Sequence, residues 1–462
     1  MIKIIFCFSV FFFVSLTLCA KEGDAFSIST DVEGNTVVFG RVYYNYIDNT
    51  SQGRIFIYEK SGDELVLEKE IPEGQEDNGD LFGGMIDISG DTIFSSNSVF
   101  GNSTFNNKKV DVYMKTDDGW NLFKTILPPE EYSAGEYSGA IFASMISADG
   151  TNLLVSANKG TDDASDILVY SKSDDYSTYK TISPVIEESY SRFFFPKGFD
   201  ISENRIAATS ASFINDFTYG PNFIYIFDLN EENGEWEESN RIEVDYQNPV
   251  DSFGYSISIE GDILIVSAFD YEGAGKGRAI IYEKIENEWQ KIKVLAPDSS
   301  EDENYFGWNV SISGDFAVVT DRKEDKMLPY GTTYVFHRNY NPEDPEIELE
   351  NNWGLYQKFE VTDESETPMK GALAVLKKET LSLGANPEVN NYVNSKITPY
   401  VEKLIPPVFS ELPDEDVSEE ADESKVDDME TPETDDIEIN DNDVQAVEKD
   451  KSSGLSCSAV II

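Results

Sequence analysis

Phe253-Gly254-Tyr255-Ser256-Ile257-Ser258-Ile259-Glu260-Gly261-Asp262-Ile263-Leu264-Ile265-Val266-Ser267-Ala268 is the clearest copy of a module that recurs seven times along a chain of 462 residues. In its first half Ile257 and Ile259 alternate with polar neighbours, the period of a strand with one buried face. Gly261-Asp262 is a hairpin signal. The run Ile263 to Val266 is apolar throughout, which suits a second strand buried on both faces.

Two more copies share this frame without gaps, Phe82 to Asp91 and Phe306 to Asp315. Weaker ones lie at Phe26 to Asn35, at Phe142 to Gly150 with one inserted residue, at Phe195 to Asn204, and at Lys370 to Glu379, where the aromatic is gone. A third strand then ends in a β-branched residue and an aromatic, as in Ile57-Tyr58, Ile281-Tyr282 and Val335-Phe336. A fourth begins at Trp120, Trp236, Trp289 or Trp353, with apolar residues following as in Phe123 and Ile126. Four of the five tryptophans hold this one place in the repeat, which points to packing between units and not to a ligand site. Four short strands per unit, at a period of about 50 to 60 residues, predict an all-β fold: a seven-bladed β-propeller of four-stranded antiparallel blades over residues 21–405.

Residues 1–20 read as a cleaved secretory signal, with Lys3, the apolar run Ile4 to Val14 and the small residue Ala20 at the end. Leu18 stands where a lipoprotein signal needs a small residue, which favours ordinary cleavage over lipidation of Cys19. The other cysteines, Cys7 and Cys457, also lie outside the repeats, so the propeller has no disulfide. Residues 406–451 are dense in Asp and Glu and predict a disordered, extended acidic linker. The last segment, 452–462, is a short apolar end, far too short to span a bilayer. Cys457 is not four residues from the end, which excludes prenylation. A remnant of an anchoring or sorting signal and a plain free terminus both stay open.

The formal net charge of −53 argues against nucleic acid and anionic membranes as partners, and favours cations, basic proteins or a saline medium. There is a single histidine, so a serine triad or a histidine-built zinc site is nearly excluded. His337 follows Val335-Phe336, where other units carry Glu59, Asp228 and Glu283, and is expected to be an exposed strand-end residue. Phosphate-binding glycine loops of the usual spacings are missing. A carboxylate pair, as in glycoside hydrolysis, remains the enzymatic alternative, but 88 acids give no means of choosing one. The chain therefore reads as a binding platform, not an enzyme.

Propellers bind through the loops between strands. The links between the second and third strands are aromatic here: Tyr43, Tyr44 and Tyr46; Phe213, Phe217 and Tyr219; Phe269 and Tyr271. Gathered on one face they would make a platform for sugars or protein side chains. The other reading is that each ring packs over its own blade.

Phe-Gly at the start of strand one, in Phe82-Gly83, Phe253-Gly254 and Phe306-Gly307, resembles the first half of the FG-GAP repeat. Ser156-Ala157-Asn158, Ser267-Ala268-Phe269 and Gly384-Ala385-Asn386-Pro387 are degraded forms of the second half. Such repeats form the head of integrin α subunits and occur in many exported bacterial proteins. The resemblance covers about residues 25–405. It implies a secreted or cell-surface propeller, here expected to be monomeric and without a transmembrane span, that binds an extracellular protein or glycan through loops at one end of the ring. It also implies calcium in acidic loops of the form Asp-x-Asp-x-Asp-Gly. Calcium needs six to eight oxygens, and the corresponding loops here depart from the pattern. If calcium is held, Asp270 with Glu272, or Asp162 with Asp166, would hold it; ordinary polar loops are the other reading. A carboxylate-dependent extracellular hydrolase and a structural envelope protein are the alternative functions.

Overall fold

A computed structural model describes residues 24–45, 50–62, 64–72, 82–97, 108–133, 141–158, 165–184, 192–215, 218–219, 221–244, 251–270, 277–297, 305–321, 331–343, 352–359, 374–378, 380–387 and 397–407. These form a seven-bladed β-propeller. The blades span 24–71, 85–126, 141–182, 192–244, 251–295, 309–359 and 375–403, each an antiparallel sheet whose strand order follows the chain. Blade 7 has three strands among the described residues.

The hairpin of the quoted module forms in the expected register, with Ile257 opposite Val266 and Ile259 opposite Leu264. In blade 3, Ala148 pairs with Leu153 at the same offset. The copy at Phe142 therefore carries no inserted residue, contrary to the sequence expectation.

The Phe-Gly step is a bulge, because pairing slips between Phe253 and Ile257. A bulge leaves a backbone N–H without its ladder partner. Here the N–H of Ser256 donates to Ser267 Oγ at 2.9 Å. The same bond recurs from Met145 to Ser156, from Gly198 to Thr209 and from Asn309 to Thr320. Gly254 sits in the bulge at φ +77°, and a Cβ there would lie 2.6 Å from Thr209. The phenylalanine beside it goes inward: Phe82, Phe142, Phe195, Phe253 and Phe306 are all buried. Phe306 meets Tyr334 of its own blade edge to face at 5.1 Å.

Apolar positions of neighbouring blades merge into continuous clusters. Ile265, Ile281 and Leu295 of blade 5 pack with Phe306, Ile312 and Val319 of blade 6. Comparable two-blade clusters join blades 1 and 2, 2 and 3, 3 and 4, 4 and 5, and 6 and 7. Trp120 and Trp353 are buried within these clusters, and Trp236 and Trp289 pack against them. His337, expected on the surface, is buried. Its ring lies 4.7 Å from Phe316 and its Nδ1 is 2.5 Å from the Arg338 carbonyl. It lies between Phe316 and Tyr356 of its own blade, and burial lowers the pKa of this imidazole.

The polar side of the first strand is also not a solvent face. Ser256, Asn309, Ser311 and Ser313 are buried, because each points at the inner strand of the following blade. The sixth residue of each module is the clearest case. Its oxygen accepts from the N–H of the seventh residue in the next blade: Asp31 from Ile88, Asp87 from Ala148, Asp200 from Ile259, Ser258 from Ile312 and Ser311 from Leu376. Between blades 3 and 4, Ser147 instead donates to Asp200, which accepts from its own neighbour Ile201. Inner strands are sheet edges with open N–H groups, and a buried donor left unpaired costs on the order of 1–3 kcal/mol. These side chains satisfy the edge blade by blade.

Candidate functional site

Two regions offer functional chemistry, the central channel and the end of the ring from which the longer links leave. The channel follows from the inner strands. Asp24–Glu33, Met85–Ser89, Ile141–Ala148, Phe199–Ser202, Asp251–Glu260, Asn309–Ser313 and Val375–Lys377 together line a cavity of about 520 Å³. Among its lining residues are Asp31, Asp87 and Asp200, with the cations Lys377 and the more exposed Lys378.

Each of these carboxylates is engaged. Asp31 accepts from the N–H of Val32 at 2.8 Å and of Ile88 at 2.7 Å, and from Lys377 Nζ at 2.8 Å. Asp200 accepts from Ile259, Ile201 and the Ser147 hydroxyl. Asp87 Oδ2 takes the Ala148 N–H, while Oδ1 has no hydrogen bond and lies 3.6 Å from Lys377 Nζ. Burial pushes the Asp87 carboxyl well above the usual range. Lys377 opposes this, and Asp31 and Asp200 add to it. Asp200 is raised by burial as well, against the hydrogen bond from Ser147. Burial works against the charge of Lys377, but Asp31 and Asp87 outweigh it and hold the amine above its ordinary value. Chemically this is a set of staples around one ammonium group. Sequence reasoning passed over it because these acids sit among the polar residues of alternating strands. The available signal was Asp as the sixth residue in three separate copies.

The two ends of the ring differ. Within every blade, first-to-second and third-to-fourth connections fall at one end, and second-to-third and fourth-to-first links at the other. The hydrogen bonds between successive inner strands keep all blades pointing the same way. At the first end most strands turn tightly, as at Gly34-Asn35, Gly261-Asp262 and Gly314-Asp315, with longer third-to-fourth links only at 172–178 in blade 3 and 339–352 in blade 6. At the second, links run to several residues, among them 98–107, 271–276 and 322–330.

Those predicted ligand and metal residues that are described, Tyr43, Tyr44, Phe213, Tyr219, Phe269, Asp270 and Asp166, belong to this second end. Tyr43 and Tyr44 are not in a loop. They lie on strand Thr36–Asn45 of blade 1, opposite Phe26 and Ala25 on one side and Gln52 and Ser51 on the other. That hairpin extends well past the ring's usual strand length, its third strand running to 12 residues over Thr50–Ser61. Phe213 is on strand Arg205–Asn215 of blade 4, facing Arg192 and Tyr219 across the ladders. Phe269 and Asp270 end strand Ile263–Asp270 of blade 5. Asp166 opens strand Asp166–Ser171 of blade 3 and is buried, accepting from the Tyr132 hydroxyl at 2.7 Å and from Ser183. Tyr46, Phe217, Tyr271, Asp162 and Glu272 lie outside the described residues. Among the described residues no group of three or more Asp, Glu, His or Cys is placed to hold a metal ion. No helix among them is long and apolar enough to cross a membrane.

A ring of seven antiparallel units, built on a four-stranded plan, around a polar channel defines the class of protein: a β-propeller built from sequence repeats. Residues 289–336, from the fourth strand of blade 5 to the third strand of blade 6, match the FG-GAP repeat family. Together with the Phe-Gly bulges this match supports an FG-GAP propeller. No curated protein matches it. Among solved structures it is similar to a putative 6-phosphogluconolactonase from Bacteroides fragilis, at 12% identity over 73% of this chain and 96% of that one, with a TM-score of 0.36. It is also similar to a puromycin-hydrolyzing peptidase of Mycobacterium tuberculosis, at 13% identity over 84% of this chain and 54% of that one, with a TM-score of 0.43. A third similarity is to the β-propeller domain of the Trilobed protease from Pyrococcus furiosus, at 10% identity, 77% and 90% coverage and a TM-score of 0.40. At that depth such likenesses carry no functional assignment.

Proposed function

We propose that this FG-GAP propeller is a secreted or cell-surface binding protein that recognises an extracellular protein or glycan at the end of the ring bearing the longer links. The observation that carries this reading is the inequality of the two ends. Most turns at one end are tight, the exceptions being the third-to-fourth links of blade 3 (172–178) and blade 6 (339–352), whereas the links at the other vary in length blade by blade and Tyr43, Tyr44, Phe213, Tyr219 and Phe269 lie on or beside its strand ends. A rigid ring with variable links at one end suits recognition, since the links can change without disturbing the core. Binding and not turnover is favoured by the channel, where the buried carboxylates are engaged by backbone N–H groups and by Lys377.

The test is saturable capture of extracellular proteins and glycans by the full chain, with calcium in one arm and a chelator in the other. Replacing Tyr44 and Tyr46 by Ala should weaken capture at an unchanged melting temperature. Capture lost with chelator would assign calcium to this end, and capture indifferent to it would leave binding without metal. Product formation, or no capture at all, would overturn the proposal.

A further inference from the structure

The pattern of staples breaks at one junction. Val375 occupies in blade 7 the place that Ser258 holds in blade 5, since Val375 pairs with Ser382 as Ser258 pairs with Ile265. Valine has no acceptor, so blade 7 cannot staple blade 1 as the other blades staple their successors. The N–H of Val32, which a preceding blade would otherwise take, turns to the side chain of Asp31.

Apolar packing breaks at the same junction. Six junctions are spanned by clusters with members from both blades. On the side of blade 1 facing blade 7, the cluster Val32, Val37, Phe39, Phe56 and Tyr58 has no blade 7 member among the described residues. The sequence of blade 7 accounts for this. Its second strand reads Thr380-Leu381-Ser382-Leu383, with Leu381 and Leu383 packed toward blade 6. Ser382 Oγ meets Thr30 Oγ1 of blade 1 at 2.8 Å.

What crosses the seam is charge. Lys377 Nζ donates to Asp31 of blade 1 at 2.8 Å and to the Ile88 carbonyl of blade 2 at 2.6 Å, with Asp87 at 3.6 Å. One side chain thus ties the last blade to the first two. The neighbouring Lys378 reaches Glu33 at 3.4 Å but is mostly exposed, and such pairs contribute little.

We propose that the ring is closed by an ionic clasp centred on Lys377, and that the seam between blades 7 and 1 is where the propeller opens. The physical reason is that proteins open first where apolar contact is sparse, and among the described residues no apolar cluster spans this seam. The seam rests instead on a partly buried ion group, which is weakened if a partner leaves.

Native-state hydrogen exchange on the full chain tests this. In the unaltered protein, amides of 29–39 and 375–387 should exchange at least tenfold faster than those of 256–268 and 309–320. Lys377→Met should speed exchange in the two seam segments by a further tenfold or more and leave the blade 5 and 6 segments unchanged, while Lys378→Met should change neither. Equal protection around the ring in the unaltered protein would overturn the proposal without need of a variant. So would a uniform loss of protection around the ring in Lys377→Met. Because exchange reports opening and not ligand capture, its outcome is independent of the binding proposal.

Discussion

The junction between blades 5 and 6 and the seam between blades 7 and 1 perform the same task with different chemistry. At the first, two sheets bury an apolar cluster that includes Phe306, Ile312 and Trp353, and the inner edge is stapled by Ser256, Ser258 and Glu260. At the second, a serine and a threonine meet, and a lysine gathers two aspartates. Dry packing scales with buried area and is insensitive to charge. An ion cluster is held by a few atoms and depends on all of them. A ring needs every junction closed but not every junction equally strong, and the seam is the cheapest to reopen.

Phe306→Ala should break the blade 5–6 junction most severely. The side chain is fully buried against Tyr334, and such truncations cost about 3–5 kcal/mol. Chemical denaturation would read this, and a loss below about 1 kcal/mol would mean that the junction does not depend on dry packing. Gly307→Ala attacks the same junction through the backbone. Its φ is +89° and a Cβ would stand 2.3 Å from the Arg278 carbonyl of blade 5, so a loss of about 2 kcal/mol or more is expected. Ser258→Ala removes one staple and leaves the Ile312 N–H unpaired, an effect of about 1–2 kcal/mol. A neutral result would show that the strand relaxes to find another acceptor.

The pH response sharpens the contrast from the other side. The Asp87 and Asp200 carboxyls are raised by burial, so the folded chain takes up their protons more readily than the unfolded chain does. Stability should therefore increase as pH falls from neutral through their raised folded values, reaching its full gain below the ordinary carboxylate range. Asp87→Asn should flatten that part of the melting-temperature profile. A profile that already falls between neutral and mildly acid pH in the unaltered protein would contradict the assignment. The smallest effect is expected at Ala143, the counterpart of Gly254 in blade 3, which holds φ +56° with a side chain. Ala143→Gly should stabilise by about 0.5–1 kcal/mol, read as a higher melting temperature.

Much of the ring was legible in the chain. Alternation around Ile257 and Ile259, the Gly261-Asp262 turn and the tryptophans of the fourth strands are local signals, and they placed the strands and the blade number, with the register missed at the Phe142 copy. A sign of the seam was present in the sequence too, in Ser382, whose place in the other second strands is taken by an apolar residue such as Val38, Phe94 or Ile265. The sequence reading places Tyr43 and Tyr44 in the link between the second and third strands, whereas their strand extends to Asn45. His337 was expected outside because its neighbours in other units are acidic.

By itself the sequence determined the repeat, and with it the blades, because a strand's period and its turns are encoded within a few residues. Only the tertiary structure decided that the polar side of each inner strand faces another strand instead of water. The N–H that Asp31 satisfies belongs to Ile88 and the ammonium it holds belongs to Lys377, residues that approach it only when seven sheets close into a ring.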